Sequence, residues 1–112
     1  MDYNITESDF SLSPHQTDII DTRMGLSLSR FANLIAKCDL TFTNNTQQEP
    51  DLPVKCKIHI LLHAGHEIEI EDHARELELC FSQAVARAKR SIERHLKHHR
   101  GPRLGSSMTT RT

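Results

Sequence analysis

Residues 55–71 decide the fold, and they read Lys55-Cys-Lys-Ile-His-Ile-Leu-Leu-His-Ala-Gly-His-Glu-Ile-Glu-Ile-Glu71. Apolar residues alternate with charged or polar ones on both sides of the central His-Ala-Gly-His. This period of two predicts strands at Cys56–Leu62 and Ile68–Ile70, joined by a short hairpin turn. The other positions are mostly lysine and histidine on the first strand and glutamate on the second, so opposite charges face each other across the pair. One face of the hairpin is therefore expected to be solvated and the other buried.

Two further segments complete the predicted sheet. Residues 38–43 read Cys-Asp-Leu-Thr-Phe-Thr and alternate in the same way, which predicts a half-buried strand. The following residues 44–53 contain two prolines and no apolar period, so we expect a loop. At the start of the chain, a first strand is expected over about Asp2–Thr6, with an alternative that continues through a bulge or turn to Leu12.

Two segments carry helical spacing. Residues 13–16, Ser-Pro-His-Gln, supply a cap, a proline for the first helical position and the glutamine of a capping box. Apolar residues then recur every three or four positions, which predicts a first helix over Pro14–Ile35. A second helix is expected to begin at Asp72 or His73 and to continue to about Arg100, with one apolar stripe along it.

The order of elements is β-α-β-β-β-α, which indicates an α+β fold. The crossover through the first helix makes strands 1 and 2 parallel, and the hairpins make the remaining pairs antiparallel. We therefore expect a two-layer sandwich with a four-stranded mixed sheet and both helices on one face. At 112 residues the chain is expected to form a single domain over 1–100, with 101–112 as a disordered tail.

Charge is distributed unevenly along the chain. Residues 87–112 contain eight lysines and arginines and one glutamate, a net charge of +7, whereas residues 1–86 carry a net charge of −8. At 100° per residue, four cations lie within about 80° of one another on the second helix, opposite its apolar stripe. These four residues, called the basic row below, are Arg87, Arg90, Arg94 and Lys97.

The basic row favours a polyanion such as RNA as the partner. Lys89 and Arg100 flank the row as additional cations. The alternative is an ordinary solvated helix face. The row has few acidic neighbours at helical spacing, Glu93 being the nearest one, which favours binding over the alternative.

Other chemistries have little support in the sequence. The three cysteines form no CxxC pair and fall on apolar stripes, so we expect buried thiols in a reducing compartment, with a disulfide or a thiol nucleophile as alternatives. His95 with His98 or His99 has the spacing to hold one ion, but no four-ligand set is apparent, so no metal or other cofactor is expected. Because the chain lacks a phosphate loop and a nucleophile elbow, it is not expected to be an enzyme.

No apolar run approaches the roughly 20 residues that cross a bilayer. The first residues, Met1-Asp-Tyr-Asn4, are acidic and polar, unlike a signal peptide. The chain is therefore expected to be cytoplasmic, without a membrane partner.

The sequence resembles the family of the ribosome hibernation-promoting factor and ribosome-associated inhibitor A, in its short form. Ile5-Thr-Glu7 and Leu12-Ser-Pro-His-Gln-Thr-Asp-Ile-Ile20 are similar to the start of that family. Ile58-His-Ile-Leu-Leu-His-Ala-Gly-His-Glu-Ile-Glu-Ile70 resembles its hairpin. Glu76-Leu-Glu-Leu-Cys-Phe-Ser82, followed by Ala86-Arg-Ala-Lys-Arg-Ser-Ile-Glu-Arg94, resembles its last helix, and the three arginines of this second segment fall on the family's basic positions. The resemblance covers about residues 2 to 100.

This resemblance implies a double-stranded-RNA-binding-like fold. It also implies a factor, monomeric when off the ribosome, that binds small-subunit rRNA and blocks the channel of messenger and transfer RNA. Arg23 is the one cation that matches the lysines of the family's first helix; Leu26 stands where another lysine is expected, and Glu78 stands in place of a tyrosine. The implied RNA-binding residues are the basic row with Lys89, Arg100 and Arg23. Because half of the cationic cleft is depleted, the alternative is a divergent relative that binds a protein or another structured RNA.

Overall fold

The structure is a computed structural model that describes the backbone of residues 2–100 and the side chains of residues 2–97. Its elements follow the expected β-α-β-β-β-α order. They are β1 (Asn4–Ser8), α1 (Pro14–Leu28), a 3₁₀ segment (Ser29–Leu34), β2 (Ile35–Asn44), β3 (Val54–Leu62), β4 (Glu67–Ala74) and α2 (Leu77–Arg100).

The four strands form one mixed sheet in the order β1-β2-β3-β4. β1 runs parallel to β2, while β2–β3 and β3–β4 are antiparallel, as expected. The tight turn after β3 is closed by the Gly65 amide, which donates to the Leu62 carbonyl at 2.8 Å. Gly65 has a φ of 94°, which glycine adopts at low cost because it has no Cβ. The predicted α+β class and sheet are therefore confirmed.

The register places the apolar residues of the strands on one face. Ile58 of β3 pairs with Leu40 of β2 and with Ile70 of β4, and all three are buried. Ile20, Met24 and Leu28 of α1 belong to the same core, and so does the apolar stripe of α2 from Leu77 to Ile92. Both helices therefore share one buried layer with the sheet, which is the expected two-layer arrangement.

The boundary between α1 and β2 differs from the prediction. α1 ends at Leu28 instead of Ile35, and the 3₁₀ segment continues from there. The 3₁₀ turn buries Phe31, so the apolar spacing continues although the α-helix has ended. Ile35 is already extended, with φ −93° and ψ 118°, and pairs with Leu62. At this residue strand pairing therefore sets the backbone conformation, although the sequence pattern is helical.

The boundary between β4 and α2 was also predicted too early in the chain. β4 extends to Ala74, and α2 begins at Leu77 instead of Asp72 or His73. β3 begins at Val54, and its first residues need partners for their backbone groups. Val54 pairs with Ala74, which therefore remains in the strand.

The start of α1 is confirmed in detail. The Gln16 amide donates to the Ser13 hydroxyl at 3.1 Å, and the Ser13 amide donates to the Gln16 side-chain oxygen at 2.9 Å. The alternative extension of β1 to Leu12 does not form. Asp9 adopts a φ of 53°, which ends the extended backbone after Ser8.

The predicted burial of the cysteines is confirmed, and all three are free thiols. Burial raises the pKa of Cys38 to about 12. Cys56 of β3 and Cys80 of α2 are neighbours, a contact that their spacing in the sequence does not indicate. A hydrogen bond with Cys80 and burial raise the pKa of Cys56, while the Cys80 thiol donates to the carbonyl of Asp72 at 3.2 Å.

We predict that the native protein resists thiol reagents. At about pH 8, below the raised pKa values, Cys38 and Cys56 stay protonated, and the thiolate is the reactive form. The hydrogen bond with Cys56 lowers the pKa of Cys80, so this thiol is protected by its complete burial instead. A colorimetric disulfide reagent should therefore label no thiol rapidly in buffer and all three after unfolding in urea. Labelling of the folded protein at the rate of a free thiol would contradict the burial of these side chains.

Candidate nucleic-acid interface

The outer face of α2 changes in character along its length. Before Arg87 its exposed residues are Glu78, Leu79 and Gln83, whereas the basic row runs from Arg87 to Lys97. The carbonyl end of a helix carries partial negative charge, which favours cations there. Packing of the apolar stripe on the sheet therefore directs a concentrated positive charge into solvent.

Arg87 differs from the other members of the basic row because it holds α2 to β4. Its Nη1 donates to the Glu71 carbonyl at 3.0 Å and lies 3.0 Å from Oδ2 of Asp72. The Asp72 side chain is 18% exposed, and Oδ2 itself is buried. The Arg87 guanidinium compensates this carboxylate, so the residue predicted to bind RNA also has a structural role.

The other members of the row, Arg90, Arg94 and Lys97, are exposed as well. Within residues 2–97, no carboxylate forms an ion pair with any of them. The nearest acid along the helix, Glu93, instead pairs with Arg30 of the 3₁₀ segment. These three side chains can therefore contact phosphate oxygens without first breaking a salt bridge.

The remaining predicted RNA-binding residues lie in different environments. Lys89 is half-buried on α2. Arg100 is the last residue of α2, and its side chain lies outside the described residues. Arg23 is exposed on α1, where it lines an open cavity of about 350 Å³ together with Asp18 and Glu78. The structure therefore places Arg23 in a cleft of mixed charge.

The same cleft contains the most exposed large apolar side chain of the described residues. Leu26 of α1 is 82% exposed and lines the cavity with Ile19. A leucine at such a position gains little from burial, because almost all of its surface stays in water. Because this position holds a leucine and not a lysine, the α1 side of the cleft is short of positive charge.

A second cavity of about 350 Å³ lies where the β3–β4 turn meets the second half of α2. The rings of His66 and His95 stack there, with 4.4 Å between their centroids and an angle of 15° between their planes. Ser91 and Arg94 line the cavity from α2, and β4 lines it from the other side. Sequence reasoning missed this contact because the two histidines are far apart in the chain and no pattern within one element relates them.

No metal-binding cluster is apparent in the part of the chain that the structure describes. No group of three or more histidine, cysteine, aspartate or glutamate side chains converges among those residues. None of the helices in the same region has the length and hydropathy that crossing a bilayer requires.

Comparison with known proteins identifies the family. Residues 3–100 match the sequence profile of the family described as Sigma 54 modulation protein / S30EA ribosomal protein. The chain belongs to this family of ribosome-associated factors, to which the sequence resemblance had pointed. No curated protein sequence matches the chain significantly.

Two solved structures share the fold. The ribosomal subunit interface protein from Coxiella burnetii is similar with a TM-score of 0.73 and 11% identity, over 86% of this chain and 98% of that one. The N-terminal domain of Thermus thermophilus Protein Y gives a TM-score of 0.65 and 12% identity, over 83% of this chain and 96% of its own. At these identities, the likeness concerns the fold.

We predict different effects on stability for two neighbouring arginines. Arg87→Ala should lower the free energy of unfolding by about 1–3 kcal/mol, because the mostly buried Asp72 carboxylate loses its compensating charge. Arg90→Ala, at an exposed position, should change it by less than about 0.5 kcal/mol. Urea denaturation of both variants measures the difference. Equal effects would mean that the Arg87–Asp72 pair contributes nothing to the fold.

Proposed function

We propose that the protein binds rRNA of the small ribosomal subunit and represses translation by occupying the channel of messenger and transfer RNA. The observation that carries this proposal is the set of unpaired exposed cations Arg90, Arg94 and Lys97 on the outer face of α2. Family membership supports the ribosome as the assembly that these cations contact. Such a factor works in the cytoplasm, as a monomer when off the ribosome, and needs neither turnover nor cofactor.

The distribution of charge supports binding through one face. The segment before residue 87 is acidic, whereas α2 from residue 87 onward is basic. A polyanion is therefore attracted to the second half of α2 and repelled by much of the remaining surface. Arg90 and Arg94 supply planar guanidinium groups that can donate two hydrogen bonds to one phosphate. Arg87, Lys89, Lys97, Arg100 and Arg23 complete the proposed RNA-binding set.

Phosphate contacts of this kind provide affinity without reading sequence. Specificity would come from the shape of folded rRNA and from the rigid frame that holds α2 on the sheet. Inhibition is then steric, because a body the size of this domain cannot share the channel with its normal ligands. Residues 1–100 would constitute the ribosome-binding domain.

One observation favours a second candidate function. The cleft between the two helices contains the exposed Leu26 together with the acidic Asp18 and Glu78. An apolar side chain flanked by carboxylates suits a protein segment better than a phosphate backbone. The alternative is therefore a divergent family member that acts through a protein partner or binds another structured RNA.

We predict that charge reversal on α2 abolishes ribosome association. Arg90→Glu combined with Arg94→Glu should remove co-sedimentation with small subunits and whole ribosomes, because two favourable phosphate contacts become repulsive. Wild-type binding should weaken as salt rises, with a slope of about −0.7 to −0.9 in log affinity per phosphate neutralised.

The matched control is Lys37→Glu combined with Arg75→Glu. It changes the net charge equally, at exposed positions outside α2. This control should bind like the wild type. Loss of binding in both double variants would indicate a net-charge effect without a defined face, and retention in both would favour the protein-binding alternative.

We further predict that Leu26→Lys strengthens ribosome association. The substitution places a cation on the depleted side of the cleft, and one added phosphate contact should raise affinity severalfold at low salt. Because Leu26 is 82% exposed, the fold should tolerate the lysine. Leu79→Lys is the control, since Leu79 is half-exposed but lies in the first turn of α2, next to Glu78 and away from Leu26 on α1. Unchanged affinity for Leu26→Lys would place the bound RNA away from α1.

A further inference from the structure

The cavity between the β3–β4 turn and α2 combines features that suit a small planar ligand. Its volume of about 350 Å³ lies at the lower end of the range of small-molecule sites, roughly 300–1,000 Å³. One end is formed by the stacked imidazoles of His66 and His95. His66 is exposed while His95 is half-buried, so the pair forms a fixed aromatic surface that is open to solvent on the His66 side.

Stacked rings of this kind can extend to a third ring. Nucleobases stack on aromatic side chains, histidine included, and the contact is tolerant of sequence because every base has a π face. The His66 ring is held in place by His95, so less conformational freedom is lost when a base stacks on it. Trp is absent from this chain and Tyr3 is remote in the fold, which makes the imidazole pair the available platform beside the basic row.

The groups around the cavity favour one class of base. Arg94, a member of the basic row, lines the cavity and can contact the phosphate that adjoins a stacked base. The carboxylates of Glu67 and Glu69 lie on the outer face of β4, where Glu67 is 3.5 Å from His59, so they do not select the base. Selection then depends on the stacked area, and the two fused rings of a purine cover more of the imidazole pair than the single ring of a pyrimidine.

We propose that this cavity binds an unpaired purine base, which stacks on the His66–His95 pair while Arg94 contacts its phosphate. The proposal rests on the proposed RNA-binding function and adds a local preference to it. Phosphate contacts along α2 then provide affinity, and one extruded base in the cavity fixes the register of the RNA on the protein.

The first test uses the full chain, isotopically labelled, and follows the imidazole C–H signals of His66 and His95 by NMR. The probes are 5′-GMP, 5′-UMP and inorganic phosphate. We expect GMP to shift the ring protons upfield through stacking, UMP to bind severalfold more weakly because its single ring stacks over a smaller area, and phosphate to cause no upfield shift. Ring shifts that are the same for GMP and for inorganic phosphate would overturn the proposal, leaving a phosphate contact alone.

Variants separate stacking from charge. His66→Ala should reduce GMP affinity by about 5- to 100-fold, the range of one lost base stack. His66→Phe keeps an aromatic ring without a titratable group and should stay within about threefold of the wild type. His63→Ala, at an exposed position on the same turn, should have no effect. GMP binding that survives His66→Ala unchanged would overturn the proposal.

The two proposals fail in distinguishable ways. If the reversal at Arg90 and Arg94 abolishes ribosome association while His66→Ala leaves GMP binding unchanged, the base site is wrong and the proposed function stands. If GMP binds through His66 while the wild type fails to sediment with ribosomes, the base site stands and the proposed function is wrong.

Discussion

Packing of α2 along the β3–β4 hairpin is the constraint on which the other features depend. The alternation in β4 directs its isoleucines toward the helix and its glutamates away from it. Each large apolar side chain buried in this layer contributes about 1.5–3 kcal/mol, so no other orientation of α2 competes. Once the apolar stripe faces the sheet, the opposite side of the helix must face water. The exposure of the basic row is thus a consequence of core packing.

The Arg87–Asp72 pair makes this arrangement more specific. Asp72 lies on the inner side of β4, opposite Cys56, where a carboxylate is costly unless it is compensated. The guanidinium of Arg87 reaches it from α2 and also satisfies the Glu71 carbonyl. This ion pair thereby fixes the position of α2 along β4. That position determines which cations of α2 extend beyond the sheet toward the C-terminal end of the helix.

The remaining cations have little net effect on stability. Like charges at i, i+4, such as Arg90 and Arg94, cost about 0.2–0.5 kcal/mol. Cations near the C-terminal end of a helix gain about 0.3–1 kcal/mol from its dipole. Because these terms nearly offset each other, the fold does not require Arg90, Arg94 and Lys97. Their effect is the positive field that they create, which reinforces the functional interpretation and distinguishes them from Arg87.

The sequence by itself determined the element order, the sheet, the capping box of α1 and the solvent face of α2, because these follow from local periodicity and capping chemistry. It also pointed to the family. Tertiary structure decided the element boundaries. Ile35 and Ala74 lie in strands because they pair with residues far along the chain. The pairing of Arg87 with Asp72, the stacking of His66 on His95 and the exposure of Leu26 were likewise decided there. Each depends on which distant residues the fold brings together, and periodicity within one element carries no information about that.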